Sequence, residues 1–354
     1  MKKLVSTMVF LLAVHCGAAF SATAETINLS IGCAHTPEGY TWVQGVEDYY
    51  IPEVERILAK TGNYAINWNR AWGGTIAKTN ETLEAVEIGL LDIGWIGHVF
   101  EPAKLPLSGI TYFTPFNSRS VAHVTNTMEA LSDQYPEFKK EWEKYNQKHL
   151  AYCTVETYNI MANRNVVGMP DLNGLKIGAA GANLAWLAGS GAVPVQAPAT
   201  EVYSGIQTGV FSGTMLHTAI LYRLQLYEVA PYVIRGDFGT CCVGSLTINM
   251  DKYDSLPREV QDALVAAGKT YTQGMIELSD LALEEALREL VAKGCTISVL
   301  AEADREAWAN SISNVPETHV KTLNSKGYDG QAIMKAYFKS LEEQGSAPLR
   351  EWIR

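Results

Sequence analysis

The sequence predicts an α/β fold in two units, with helices covering a largely parallel sheet in the first and one long helix suited to run along both. Three observations predict it. From Ile27 onward, apolar runs of strand length alternate with helically spaced stretches, the pattern of a sheet covered by helices. A second run of the same alternation begins near Ala151. Finally, apolar positions from Val260 to Leu290 keep helical spacing for about nine turns, well beyond the usual three or four.

Ile27 to Ile31 alternates apolar and polar as a short strand does, and the breaker cluster Gly32 to Gly39 ends it. From Thr41 to Leu58, residues such as Trp42, Val46, Tyr50, Val54 and Leu58 recur at helical intervals, with Gly62 closing the element. Tyr64 to Trp68 reads as a strand and Trp72-Gly73-Gly74 as its loop. Glu81 to Ile88 reads as an amphipathic helix with a solvated acidic stripe, and Leu91 to Ile96 as a strand. Open sheets of this order place ligands beyond the carboxyl ends of their strands. The loops holding His35, Trp72 and Trp95 to His98 are therefore expected to approach one crevice.

In the second unit, Tyr152 to Met161 is a strand candidate, Asp171 to Gly174 a turn, and Leu175 to Ile177 a short strand. Asn183 to Leu187 opens a helix, Val193 to Val195 is a strand, and Thr200 to Gln207 is helical, with Thr200 and Glu201 suited to its N-terminus. Leu246 to Met250 is strand-like. Pro257 suits the first turn of the long helix, and Gly294 its end.

Met1 to Ala24 has the parts of a secretory leader: Lys2 and Lys3, an apolar run from Met8 to Val14, and small residues before Glu25. No later stretch approaches the roughly 20 apolar residues of a membrane span. Cys16 invites a lipoprotein reading, but His15 stands where a small residue is needed. Removing 24 of 354 residues leaves 330, enough for two lobes and a cleft. The formal charge of -10 becomes -12 when Lys2 and Lys3 are lost, and no basic run occurs, so nucleic acid and anionic lipid are excluded as partners.

Five of the six cysteines follow the leader: Cys33, Cys153, Cys241, Cys242 and Cys295. An odd number cannot pair completely, and adjacent Cys241 and Cys242 bridge only with strain. Buried thiols with room for one bridge are expected. No C-x-x-C or H-E-x-x-H spacing occurs, and neither metal nor cofactor is expected.

Several segments now match a known pattern: Asp171-Leu172-Asn173-Gly174-Leu175-Lys176, Glu201-Val202-Tyr203 followed by Ile206 to Val210, Gly89 to Ile93, and Leu256-Pro257 before the long helix. In order and spacing the chain resembles the substrate-binding proteins of tripartite ATP-independent periplasmic (TRAP) transporters, the DctP-like group. The resemblance implies a two-lobed periplasmic binding protein fold of type II-like organisation, each lobe a mixed sheet flanked by helices, that closes on a small ligand. It implies delivery to membrane permease subunits, a monomeric periplasmic protein, and no catalysis. By the same analogy residues 25–155 plus 243–282 form lobe 1 and 156–242 plus 283–354 form lobe 2, with crossings near Glu156 and Cys242.

In most members that motif ends in an arginine that clamps a ligand carboxylate, the task a planar guanidinium suits. Here that position is Gly178. Sialic-acid-binding members often hold a second arginine where this chain has Tyr158. A polar amide usual near the segment matching Ser212-Gly213 is Leu216, and the usual aspartate is Ser212. A buried carboxylate without a counter-charge costs several kcal/mol, so a simple dicarboxylate held in the usual way is not expected. One alternative is a neutral or aromatic compound stacked on Tyr158, Trp95, Trp72 or Trp186 in the space the arginine vacates. The other is an acid held by backbone N–H groups near Gly181 to Asn183, or by Arg70 or Arg164.

The candidate ligand-binding residues are therefore His35, Trp72, Trp95, His98, Tyr158, Gly178, Asn183, Leu216 and Cys241. Against each stands a plain structural role: strand aromatic, satisfied core histidine, or packed thiol. Trp186 reads as core beside Leu184 and Leu187, Arg164 as a hinge residue, and His217 has weaker placement. Two other function classes compete. An exported hydrolase needs an activated nucleophile, yet Gly189-Ser190-Gly191 lacks the G-x-S-x-G elbow. A receptor that presents its ligand to a membrane sensor would share the same binding fold.

Overall fold

The computed structural model describes residues 24–353; the leader reading falls on residues outside that range. The described residues form eleven strands. In chain order they are β1 (Glu25–Gly32), β2 (Tyr64–Ala71), β3 (Ile93–Gly97), β4 (Gln147–Val155), β5 (Tyr158–Ala162) and β6 (Lys176–Ala179). There follow β7 (Val193–Gln196), β8 (Gly213–His217), β9 (Tyr232–Arg235), β10 (Cys241–Asn249) and β11 (Thr296–Val299). They make two mixed sheets: a first ordered β2-β1-β3-β10-β4 and a second ordered β11-β9-β5-β8-β6-β7.

The burial of each strand follows from its place. The inner strands β3, β5, β8 and β10 are buried at every residue, as expected of strands covered on both faces. Edge strands β2, β7 and β11 alternate or lie mostly exposed. The single strand expected over Tyr152 to Met161 is two. β4 pairs antiparallel with β10 in the first sheet, whereas β5 pairs with β8 and β9 in the second. Glu156 and Thr157 form the step between sheets, and β10 begins at Cys241 on the return.

The helical run from Thr41 to Leu58 contains a π-helical turn, Val46–Tyr50, between the helices Thr41–Gly45 and Ile51–Leu58. Pro52 accounts for it, since proline has no N–H to continue the i→i−4 ladder and its ring displaces the preceding turn. Thr200 and Glu201 form no side-chain cap: a 3-10 turn, Ala199–Glu201, leads into the helix Val202–Gln207 without one.

The long helix, Arg258–Ala292, has 35 residues. Its Tyr271 hydroxyl donates to the Trp42 carbonyl, and Thr272 and Ser279 hydroxyls to the carbonyls of Tyr152 and Thr154. Further along it packs against the helix Thr218–Arg223, which follows β8, so one rod touches β4 of the first sheet and a helix that continues from the second. The C-terminal helices Val315–Ser325 and Gly330–Glu343 return to the first sheet's side. His319 Nε2 meets the Pro106 carbonyl at 2.9 Å, and Ser340 meets Thr127 on the helix Val121–Gln134. The five described cysteines are free and buried. Among the described residues no helix is long and apolar enough to cross a membrane.

Candidate ligand-binding cleft

A narrow cavity of about 50 Å³ lies where the two sheets meet. The first sheet contributes Trp95 and Gly97 from β3 and Val243 from β10; the second contributes Tyr158 from β5 and Leu216 and His217 from β8. Loops and helix starts close it with His35, Tyr40, Trp42, Phe100, Tyr112 and Asn183. Among the described residues no lysine or arginine lines it.

Its core is a cluster of rings. Trp42 and Trp95 stack at 4.9 Å between centroids with only 9° between planes. Trp95 has room because Gly97 and Gly244 oppose each other in the ladder, and a Cβ at Gly244 would overlap its indole. His35 meets Tyr40, Trp42 and Trp95, while His217 lies 5.6 Å from Trp42 and 5.9 Å from Tyr158. The Tyr158 and Tyr112 hydroxyls are 3.4 Å apart. Burial pushes both phenols up, so each stays a neutral hydroxyl.

Two histidines give the cavity a definite hydrogen-bonding polarity. The Trp42 Nε1–H donates to His35 Nδ1 at 3.2 Å. Burial holds the His35 pKa down to about 4, so the ring is neutral and its one proton sits on Nε2. His217 is the opposite tautomer: its Nδ1 lies 3.1 Å from Glu156 Oε1, which also accepts the Ala219 N–H at 2.7 Å. A carboxylate only accepts, so Nδ1 carries the proton. Asn183 is 1% exposed, and its Nδ2 has no partner among the described residues.

Of the residues expected at the site, His35, Trp95, Tyr158, Asn183 and Leu216 line this cavity. Trp72, His98, Gly178 and Cys241 lie outside it. Trp72 turns away because its Nε1–H donates to Glu47 at 2.7 Å. His98 uses both nitrogens in the core, Nδ1 to the Cys242 carbonyl at 3.0 Å and Nε2 to Ser245 at 2.9 Å. Cys241 is wholly buried with its thiol toward the Thr111 carbonyl. At Gly178 the space an arginine would use is taken, since a Cβ there would lie 3.2 Å from Ala197 and 3.3 Å from the Phe211 ring. Trp186 is core, donating to the Tyr112 carbonyl. Arg70 pairs with Glu47 and Arg164 is exposed, so neither reaches the cavity.

Sequence reasoning assigned Trp42 to a helix core, left Tyr40, Phe100 and Tyr112 out, and undervalued His217. A signal for His217 existed: it ends an all-buried strand, the same strand-end position that singled out His35. It was missed because β8 is too short and too mixed in sequence to be recognised as a strand.

Two mixed α/β sheets joined by crossing strands, a shared long helix, and a cavity at their junction define a bilobal solute receptor. The chain belongs to the bacterial extracellular solute-binding protein family 7, the DctP family, whose model matches residues 60–323. It is 30% identical over 150 residues to the ectoine/5-hydroxyectoine-binding periplasmic protein UehA of Ruegeria pomeroyi; that match covers 41% of this chain and 42%, less than half, of the relative. It is 25% identical over 246 residues to the 2,3-diketo-L-gulonate-binding periplasmic protein YiaO of Escherichia coli, covering 68% of this chain and 72% of that one. A TRAP solute-binding protein of Rhodoferax ferrireducens, solved with copurified benzoate, superposes with a TM-score of 0.79 at 15% identity, over 90% of this chain and 98% of that one. The protein is thus an extracytoplasmic solute receptor of that family.

Proposed function

We propose that this receptor binds a small, flat, single-ring solute, uncharged or carrying one carboxylate, and hands it to the membrane permease subunits of a TRAP transporter. The observation that carries this reading is a cleft cavity lined by Tyr40, Trp42, Trp95, Phe100, Tyr112 and Tyr158 with no lysine or arginine. Aromatic faces reward a planar guest through stacking, by about 0.5–1.5 kcal/mol per pair beyond area burial. A dicarboxylate would bring two charges and find no guanidinium, and a buried unpaired charge costs several kcal/mol. The benzoate in the Rhodoferax protein is consistent with this fold holding a single ring.

We take residues 25–155 with 243–282 and the last two helices as one lobe, and 156–242 with 283–314 as the other. The contacts of His319 and Ser340 support assigning the last two helices to the first lobe instead of the second. At about 50 Å³ the cavity is far smaller than the roughly 300–1,000 Å³ of ordinary ligand pockets. This arrangement is therefore read as closed, with entry by separation of the lobes about the Glu156–Thr157 and Cys241 crossings. Export is taken to end with cleavage before Glu25, which N-terminal sequencing of the periplasmic protein checks.

Ligand adds contacts from both lobes and so raises the melting temperature. At 100 times Kd the gain is about 2.7 kcal/mol. A thermal-shift panel of benzoate, phenylacetate, 3-hydroxyphenylacetate, their amides, succinate, malate and fumarate is expected to rank the ring compounds first. A largest shift from the dicarboxylates would reject the proposal.

A further inference from the structure

We infer that His217, backed by Glu156, is the polar anchor of the ligand: it receives a single ligand carboxylate and takes up one proton as it does so. The inference rests on the cleft reading above and names the ligand class within it. It also gives a reason why the chain does without the arginine.

The geometry is that of an imidazole with one end fixed and the other free. Glu156 and His217 are 1% and 2% exposed. Glu156 Oε1 holds His217 Nδ1 at 3.1 Å and is itself fixed by the Ala219 N–H, while Glu156 Oε2 has no partner. His217 lines the cavity, and its one hydrogen bond among the described residues runs through Nδ1. Nε2 is thus the atom left for a ligand. In the neutral ring Nε2 can only accept; protonated, it donates.

The rest of the cavity points to an acceptor on the ligand. His35 presents Nε2–H, and the Asn183 amide nitrogen lacks an acceptor. Two neutral donors and an imidazolium make an acceptor-binding set, and a carboxylate oxygen pair is the most compact group that satisfies them. One ring then occupies the Trp42–Trp95 wall. The charged and titratable groups facing the dyad are of both signs. Tyr158 beside it stays neutral, Cys153 on β4 is a buried thiol, Arg223 follows on the next helix, and Asp280 approaches from the long helix. With Glu156 and Asp280 against Arg223, a proton on His217 brings the neighbourhood toward neutrality.

The balance is simple. The ligand enters as an anion, a proton from solvent binds His217 Nε2, and an N–H···O bond forms to the carboxylate; on release the proton returns to water. No covalent bond changes.

Isothermal titration calorimetry of the mature protein tests this, using benzoate, phenylacetate and 3-hydroxyphenylacetate and their primary amides, in buffers of different ionisation enthalpy. The expected result is uptake of about one proton per carboxylate bound at pH 8, with affinity falling about tenfold per pH unit above the midpoint. The amides should bind without uptake. H217N should abolish uptake and flatten the pH profile, and E156Q should move the profile to lower pH, with folding of both variants checked by circular dichroism melting. If H217N fails to fold, wild-type uptake and the E156Q profile decide. Carboxylates that bind without proton uptake, an unchanged profile in H217N, or an unshifted one in E156Q overturn the inference. Amides binding while the acids do not would reject the anchor but leave the aromatic cleft standing. Failure of every ring compound would reject both.

Discussion

Phe211 occupies the volume that a side chain at position 178 would need, and its ring also lies where a Cβ at Gly205 would fall. The loss of the arginine therefore opens no room for ligand; one aromatic side chain and two glycines form a packed unit beneath the cleft. Gly205→Ala forces that ring to move, and overpacking of this kind costs about 1–3 kcal/mol. Urea denaturation should show the midpoint fall, and an unchanged midpoint would mean that Phe211 has another place to go. Gly178→Arg should destabilise for the same reason instead of merely retuning ligand choice. At this scale the sequence was partly legible. His35, Trp95 and Tyr158 carried strand-end or pattern signals, whereas Trp42 at a helical apolar spacing looks like any core residue. What sets it apart is the stack on Trp95, from a strand about 50 residues away in sequence, and no local pattern encodes that.

Among the elements, the long helix was the most legible because its period persists for dozens of residues. Its hidden feature is Gly268, where a Cβ would run into the Leu150 carbonyl of β4. Helix propensity alone would make Gly268→Ala stabilising by about 0.8–1 kcal/mol. Backbone cannot retreat as a side-chain tip can, so the clash should win and the variant should lose about 1–3 kcal/mol. Chemical denaturation gives the sign; a gain in stability would show that the helix stands further from the sheet. The opposite lesson comes from Tyr152 to Met161. Apart from Thr154 its apolar run reaches Val155, and the interruption at Glu156-Thr157 is short in sequence. β4 and β5 become separate strands because they pair with different neighbours in different sheets.

For the whole molecule, three buried histidines and the half-buried His149 set the response to acid. Burial holds the pKa of His35 to about 4, His98 to about 4, His149 to about 3 and His319 to about 4. The unfolded chain protonates each near pH 6.5, so below that pH it binds more protons than the native state. Stability from these four groups is present above about 6.5 and drains as pH falls toward about 4, by up to about 1.4 kcal/mol per pH unit for each. Glu141 works the other way. Burial raises its pKa to about 7 despite hydrogen bonds from Leu107 and Ser108, so its contribution is present at low pH and fades as pH rises to 7. Four groups outweigh one, and the urea midpoint should be lower at pH 5 than at pH 7.5. Equal midpoints would contradict the burial of these rings.

The alternation of strand and helix periods and the absence of a basic run were enough, from the sequence alone, for the α/β class and against a nucleic-acid binder, while the receptor reading came from motifs such as Asp171 to Lys176 that resemble a known family. The first two are properties of local periodicity and bulk charge, which a chain carries along its length. Only the tertiary structure decided that Trp42, Trp95 and His217 share one cavity, that Trp72 and His98 face elsewhere, and that Phe211 fills the place left by the missing arginine. Each of these depends on contacts between residues far apart in the chain, where packing, rather than any pattern of neighbours, selects which side of an element a side chain ends up facing.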